Sequence, residues 1–316
     1  MTNIMAADIG GTNARFALFN DGPQGLVMGP RVWLDSAGVT SFAELLQRLR
    51  QHGPDWAGEA VDVTSLAVAG PVRDGIYCAP PNLDWDVDLS DPAAFGLGRV
   101  VLVNDFVAQA CATLTGAMGG ALPILPGNAN SAGTIAVIGA GTGLGKAALV
   151  PDGHGGYVPF PTEGGHALFP FEGQREFDFQ RFLMQRTGRG QVIGDMVVSG
   201  AGLSALHAFL TGEELTPVAV AERLAHHSQT MEWMARFYGR ACRDFALETL
   251  ALGGVVICGG VAARNPELVR HAAFGGEFRR SDTHAALLAE VPVRLNTNED
   301  SGLWGAAYLG GRDLAT

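Results

Sequence analysis

Basic residues are scarce in this chain: 21 Lys and Arg stand against 32 Asp and Glu, giving a formal net charge of −11 over 316 residues. That balance argues against nucleic acid or an anionic membrane surface as a partner, so any anionic ligand has to be gripped by local backbone amides. Cysteine is sparse as well. The four present, Cys78, Cys111, Cys242 and Cys258, are widely scattered, which leaves no framework for disulfides and no zinc knuckle and fits a reducing cytoplasm. No apolar run reaches the ~18 residues a bilayer span needs, and no basic stretch followed by an apolar one opens the chain. The expectation is a cytoplasmic protein that is neither exported nor membrane-embedded. Glycine, by contrast, is abundant at 44 residues, about twice the usual ~7% share. A chain of this length exceeds what one compact core usually holds, so two lobes are expected.

The glycines cluster in two turns, each between a pair of apolar strand-like runs. The first is Asp8-Ile9-Gly10-Gly11-Thr12-Asn13, between Ile4–Ala7 and Arg15–Phe19. The second is Gly139-Ala140-Gly141-Thr142-Gly143-Leu144-Gly145, between Thr134–Ile138 and Lys146–Val150. Glycine lets the backbone approach an anion and point N–H groups at it. Either turn alone reads equally well as a tight hairpin; two of them, both carrying threonine, favour a split phosphate cradle. The run Gly139–Gly145 does not fit the dinucleotide GxGxxG register and leads into a strand, which argues against an oxidoreductase.

Around these turns the pattern alternates: a helix near Ser41–Gln51, strands at Ser65–Ala69 and Arg99–Val103, and a helix at Phe106–Leu114. Pro80-Pro81-Asn82-Leu83-Asp84-Trp85 reads as an ordered loop. Helices are expected near Phe177–Gln185 and as one long stretch over Val218–Leu252, with a small-residue helix at Gly302–Leu309 returning to the first lobe. The reading is α/β, with a smaller α/β lobe over 1–114 and 301–316 and a larger α+β lobe over 115–300.

Three polar clusters stand out. Asp105 follows a strand's carboxyl end and opens a helix, the edge where open α/β sheets place ligands. Asn104 or Asp105 can simply cap that helix; alternatively Asp105 is a general base that accepts a substrate hydroxyl's proton as the oxygen attacks phosphorus. Glu163-Gly164-Gly165-His166 offers paired partners for sugar hydroxyls, whose mismatch costs about 1–3 kcal/mol, although a lone histidine is more often ordinary. Asp195 precedes Ser199-Gly200-Ala201-Gly202, a capping turn at its simplest. Gly259-Gly260 ends an apolar strand, either as a plain turn or as bare backbone for an adenine ring.

DIGGTNARFAL, LVNDFVAQA, IGAGTGLG, EGGHALFPF, VVSGAGL and CGGVAAR occur in the order seen in bacterial glucokinases of the non-zinc type, and the chain resembles that family over essentially its whole length. The resemblance implies a two-lobed actin-like ATPase (ribonuclease H-like) fold around a cleft and ATP-dependent phosphorylation of glucose at its 6-hydroxyl. It also implies Asp105 as base; Asn104, Asp105, Glu163, His166 and Asp195 at the sugar; and Asp8, Gly10, Gly11, Thr12, Asn13, Gly141, Thr142, Gly143, Gly259 and Gly260 at the nucleotide. Asp8 would be an outer-sphere partner of Mg2+, and the family suggests a homodimer. Asp195 stands where the family usually has glutamate. Lys146 stands where a small apolar residue is more usual, either near phosphate or snorkelling to solvent. Another hexose, such as mannose, glucosamine or fructose, is the alternative substrate, and a non-sugar ATPase of the same superfamily the alternative activity.

Overall fold

In the computed structural model, residues 1–54 and 61–315 are described, and they separate into two units, Met1–Gly119 with Asn298–Thr316 and Gly120–Thr297. The first unit opens with β1 (Thr2–Ile9), β2 (Asn13–Gly22) and β3 (Gly25–Asp35), followed by α1 (Phe42–His52) and β4 (Val63–Val68). Short strands β5 (Val72–Arg73), β6 (Tyr77–Cys78) and β7 (Val87–Asp88) form a small antiparallel sheet that flanks the proline loop. Their two-residue length is below what a period-2 pattern can reveal. β8 (Val100–Asn104) then leads directly into α2 (Asp105–Ala112).

The main sheet of this unit has the order β3-β2-β1-β4-β8. β1, β2 and β3 are antiparallel neighbours, while β1, β4 and β8 run parallel. Strand β4 is buried along its whole length, which is why Val63–Val68 carries no polar alternation. One face of the sheet is covered by Phe42, Leu45, Leu46 and Leu49 of α1. That helix is capped by Ser41, whose Oγ accepts from the Glu44 amide at 3.1 Å, while Glu44 Oε2 accepts from the amide of the preceding residue, Thr40, at 2.8 Å.

The second unit repeats this arrangement. It contains β9 (Leu122–Leu125), β10 (Ile135–Ala140), β11 (Leu144–Pro151) and β12 (Tyr157–Thr162), then α3 (Gly173–Thr187), α4 (Gly194–Val197), α5 (Gly200–Thr211), α6 (Pro217–Arg223) and α7 (Ser228–Glu248). β13 (Gly254–Cys258), α8 (Gly260–Arg264), α9 (Pro266–Arg270), α10 (Ala272–Phe278), α11 (Ala285–Glu290) and β14 (Val293–Leu295) complete it. The sheet order is β12-β11-β10-β13-β14-β9. As in the first unit, three antiparallel strands lead into parallel ones, β10 beside β13 beside β14. The core is led by Phe179, Phe237, Tyr238, Phe274 and Phe278. Within it Arg240 is buried against the carboxylates of Glu176 (2.6 Å) and Glu277 (2.9 Å) and the Pro170 carbonyl (2.7 Å). Finally α12 (Ser301–Ala315) belongs to the first unit. Its Leu303, Ala306 and Ala307 cover the second face of that sheet against Ile4, Ala6, Val63 and Ala67.

The single helix expected over Val218–Leu252 is corrected by the structure: α6 and a 3-10 turn at Leu224–His226 precede α7, with His227 extended out of helical geometry at φ −118° and ψ 73°. Both sides of the break pack on the core, Val220 and Leu224 before it and Trp233, Met234, Phe237 and Tyr238 after it, and no proline or glycine stands at the break to announce it in the sequence.

Candidate active site

Both glycine turns are hairpin turns. The first joins β1 to β2, with the Gly10 amide donating to the Asn13 carbonyl at 3.0 Å, and the second joins β10 to β11, with Gly141 donating to Gly143 at 2.8 Å. The hairpin and phosphate-cradle readings are therefore compatible. None of Gly10, Gly11, Gly141 and Gly143 has a positive φ, so conformational freedom does not demand glycine there. Space does at two of them. A Cβ on Gly11 would lie 2.6 Å from Asn82 Cβ in the proline loop, and one on Gly143 would lie 2.2 Å from Asp195 Oδ1. Thr12, Asn13 and Thr142 are exposed at the tips.

In the first unit, Asp8 stands near the end of β1, where Gly302 of α12 approaches so closely that a Cβ there would be 2.5 Å from Asp8 Oδ2. Its side chain is 17% exposed and lies 3.8 Å from Arg15 Nη1. Burial raises the Asp8 carboxyl above the ordinary carboxylate range; the Arg15 guanidinium opposes this and the Asp300 charge adds to it. Asp300 was not among the residues expected at the site. It is buried, one oxygen is bound by Arg31, and Oδ1 has no hydrogen-bond partner. Its signal in the sequence is the acid pair Glu299-Asp300 immediately before a helix.

At the end of β8 the capping question is resolved. Asn104 Oδ1 accepts from the Phe106 amide at 2.9 Å and from the Val107 amide at 3.2 Å, and Nδ2 donates to the Gly70 carbonyl at 3.0 Å. Asn104 is the cap, and its amide is largely committed to the protein. Asp105 adds an Oδ1 contact to the Phe106 amide at 2.9 Å, but the cap is complete without it. The half-buried Asp105 thus sits at the carboxyl edge of the parallel strands with no capping duty that requires it.

In the second unit three segments converge. Glu163 precedes the 3-10 turn Gly164–His166, its Oε2 lies 3.4 Å from His166 Nδ1, and both side chains are about half exposed. Gly165 fits under this turn only as glycine, because a Cβ would be 1.8 Å from the Leu144 carbonyl oxygen. Asp195, in the first turn of α4, accepts the Leu144 amide on Oδ1 at 2.6 Å. The Gly200 amide, starting α5, donates to the Gly141 carbonyl at 2.9 Å. The simple capping reading of Asp195 therefore gives way: Ser199 caps α5 by accepting from Gly202, and the shorter carboxylate of Asp195 is anchored on the second glycine turn. Gly259, after β13, has φ +86° and would place a Cβ 2.6 Å from the Ala140 carbonyl oxygen, so backbone conformation and space both require it to be glycine. Gly260 opens α8 beside it. Lys146, the chain's sole lysine, neither snorkels nor reaches solvent. It is 7% exposed, with its ammonium 5.2 Å from the Phe245 ring centroid.

Two expectations follow from these arrangements. Because folding raises the Asp8 pKa, its ionised form lowers stability at neutral pH, and stability recovers as pH falls through the raised value. Asp8→Asn is therefore expected to raise the melting temperature at pH 7, measured by thermal unfolding; a less stable variant overturns this account. For Asp195, loss of the acceptor at Leu144 distorts the glycine turn, which the family resemblance places at the nucleotide, and removes the carboxylate that it places at the sugar. Asp195→Ala is expected to raise the Michaelis constants for both nucleotide and glucose by about tenfold, the equivalent of ~1.4 kcal/mol, with Asp195→Asn restoring most of the nucleotide term. A change confined to glucose refutes the anchoring role.

The model of the glucokinase family matches residues 5–312. The glucokinase of Pseudomonas paraeruginosa is 36% identical over 328 residues, covering 96% of this chain and 90% of that protein. The crystal structure of a glucokinase from an Antarctic psychrotroph superposes with a TM-score of 0.82 at 28% identity, covering 99% of both chains. A glucokinase of the ROK family from Streptomyces griseus, solved with glucose and AMPPNP, reaches a TM-score of 0.69 at 18% identity, covering 98% of this chain and 99% of that one; at that identity it speaks for the fold alone. The repeated sheet topology is that of the actin-like ATPase fold of these sugar kinases, and the chain belongs to the glucokinase family.

Proposed function

We propose that Asp105 is the general base of an ATP-dependent transfer to the 6-hydroxyl of glucose, that Glu163, His166 and Asp195 bind the sugar, and that both glycine turns hold the nucleotide. Membership of the glucokinase family makes the chain a glucose kinase, and the alternatives among other hexoses and sugar-free ATPases are not favoured. The observation that carries the residue assignments is the convergence in the second unit of the Glu163–His166 turn, Asp195 and the Gly141–Gly143 turn around one backbone segment at Leu144. A phosphate loop alone has no need of a glutamate and histidine held at 3.4 Å from each other beside it.

In this reading the sugar oxygen forms a bond to the γ-phosphorus as the bond from that phosphorus to the bridging oxygen breaks, ADP leaves, and the hydroxyl proton passes to the Asp105 carboxylate. Glu163 accepts from sugar hydroxyls while its contact with His166 Nδ1 orients the ring. The amides of Gly10–Asn13 and Gly141–Gly143, together with the bare backbone of Gly259–Gly260, receive the triphosphate and nucleoside. Asn104 acts at one remove, as the cap that fixes where Asp105 points. Asp8 and Asp300 suit a hydrated divalent cation: burial holds the first carboxyl up, and the second has an oxygen without a partner. When bound there, Mg2+ supplies charge neutralisation for the phosphates.

A homodimer is also proposed, supported by β12, an edge strand whose Val158 and Phe160 are exposed; such edges are normally covered or blunted. A cytoplasmic location fits four buried cysteines, none of them in a disulfide, with the Cys111 thiol pKa pushed by burial up to about 12.

Asp105→Asn keeps the shape and the α2 cap but cannot accept the proton. Turnover is expected to fall about a hundredfold to ten-thousandfold, or roughly 3–5 kcal/mol of barrier, with glucose affinity measured by calorimetry nearly unchanged; near-normal turnover removes Asp105 from the chemistry. For the dimer, Phe160→Lys is expected to shift the sedimentation profile to a monomer, and a profile that is monomeric before substitution rejects the pairing.

A further inference from the structure

We propose that His207, Glu213 and His227 form a binding site for a zinc-class divalent metal on the second unit, separate from the glycine turns and outside the glucokinase chemistry. Among the described residues, these three make up a group whose ligand atoms all lie within 4.8 Å of one another.

The local fold creates the juxtaposition. α5 carries His207 one turn before its end and stops at Gly212, whose left-handed conformation (φ +76°) reverses the chain. Glu213 is then held back against that last turn, its amide donating to Thr211 Oγ1 at 3.1 Å while Thr211 Oγ1 donates to the His207 carbonyl at 2.8 Å. The break between α6 and α7 supplies the third member, because His227 is the extended residue at which the chain leaves helical geometry before Ser228. Its ring meets that of His207 edge-on, 4.5 Å between centroids.

Two features point to a ligand rather than to a chance histidine pair. His207 is 0% exposed, and its Nε2 has no hydrogen-bond partner, an arrangement that costs about 1–3 kcal/mol unless something else satisfies the nitrogen. Its other nitrogen, Nδ1, lies 3.2 Å from the buried hydroxyl of Thr230. If Nδ1–H donates to that hydroxyl, Nε2 presents a lone pair towards Glu213 Oε2, 3.6 Å away. This is the outer-shell arrangement that orients metal-bound imidazoles. Arg223 lies 3.7 Å from the other Glu213 oxygen, Oε1, so Oε2 is the one turned to His207.

The donor set selects the metal. Two imidazoles and one carboxylate suit Zn2+ with a fourth position for water, whereas Mg2+ takes oxygen ligands. Bonds of about 2.0–2.1 Å place tetrahedral ligands roughly 3.3–3.4 Å apart, so the site has to contract by about an ångström. Glu213 is exposed and His227 partly so, and both can move, while buried His207 stays in place. The metal would join the end of α5 to the start of α7, and α5 at its other end donates from Gly200 to Gly141. Its expected effect is on the rigidity of this helix pair, not on phosphoryl transfer.

The test uses the full chain, stripped with a chelator and titrated with ZnCl2 alone by calorimetry, and with CoCl2 followed by visible absorption. One saturable equivalent per chain, a tetrahedral Co2+ spectrum and a rise in melting temperature are expected. Glu213→Gln and His227→Gln, both outside the core, are each expected to weaken Zn2+ binding roughly tenfold or more with glucose phosphorylation unchanged, and His154→Gln on an exposed turn is expected to leave binding intact. Absence of a saturable equivalent, or an equivalent that either ligand variant leaves at full affinity, overturns the proposal. Because the readout is metal binding, it stands or falls independently of the assignments at Asp105 and Glu163.

Discussion

The backbone of Leu144 is the point on which the second unit's site depends. Its amide is held by Asp195 at 2.6 Å, and its carbonyl presses on Gly165 so closely that a methyl group there would sit 1.8 Å from the oxygen. A second glycine, Gly143, yields the space that the Asp195 carboxylate occupies. One segment of a hairpin therefore sets the positions of a glycine turn, a glutamate–histidine pair and a carboxylate. Close-packed interiors transmit such constraints because neighbouring backbones have no slack in which to absorb a displacement.

In the first unit burial of charge plays the corresponding part. Asp8, with Asp300 and Gly302 close by at the start of α12, is an acid kept in poor surroundings for a negative charge. In the proposed reading a bound cation adds positive charge there, and the stability given up in the free protein returns on binding. Asn104 shows the opposite economy. It meets two helix amides and a distant carbonyl with one side chain, so the cap does not depend on the next residue.

The two units share a topology, three antiparallel strands continuing into parallel ones, yet they keep their cores in different ways. The first is covered on both faces, by aliphatic and aromatic side chains of α1 and by the small residues of α12. The second packs a cluster of aromatic rings around the buried Arg240, whose hydrogen-bonded carboxylate partners Glu176 and Glu277 come from α3 and α10. Buried ion pairs of this kind contribute little net stability but penalise any packing in which one partner is left alone, which ties the register of α7 to both neighbouring helices.

Much of the site was legible in the chain itself. The glycine turns, the strand leading into Asn104-Asp105 and the order of the six motifs are local patterns, and local patterns survive in one dimension because hydrogen-bonding periodicity and turn stereochemistry act over a few residues. The break before α7 was not legible, since no proline or glycine marks it in the sequence, and the two-residue strands were too short to carry any period. Asp300 was hidden for a related reason: an acid before a helix is an ordinary cap until folding buries it beside Asp8. The role of Asp195 and the grouping of His207, Glu213 and His227 likewise rest on residues dozens of positions apart in one case and on a reversed helix end in the other. Composition and motif order determined what kind of chemistry the chain performs; the tertiary structure alone decided that Asn104 caps, that Asp195 anchors and that Asp8 is buried, because those distinctions depend on distances between segments that no spacing in the sequence records.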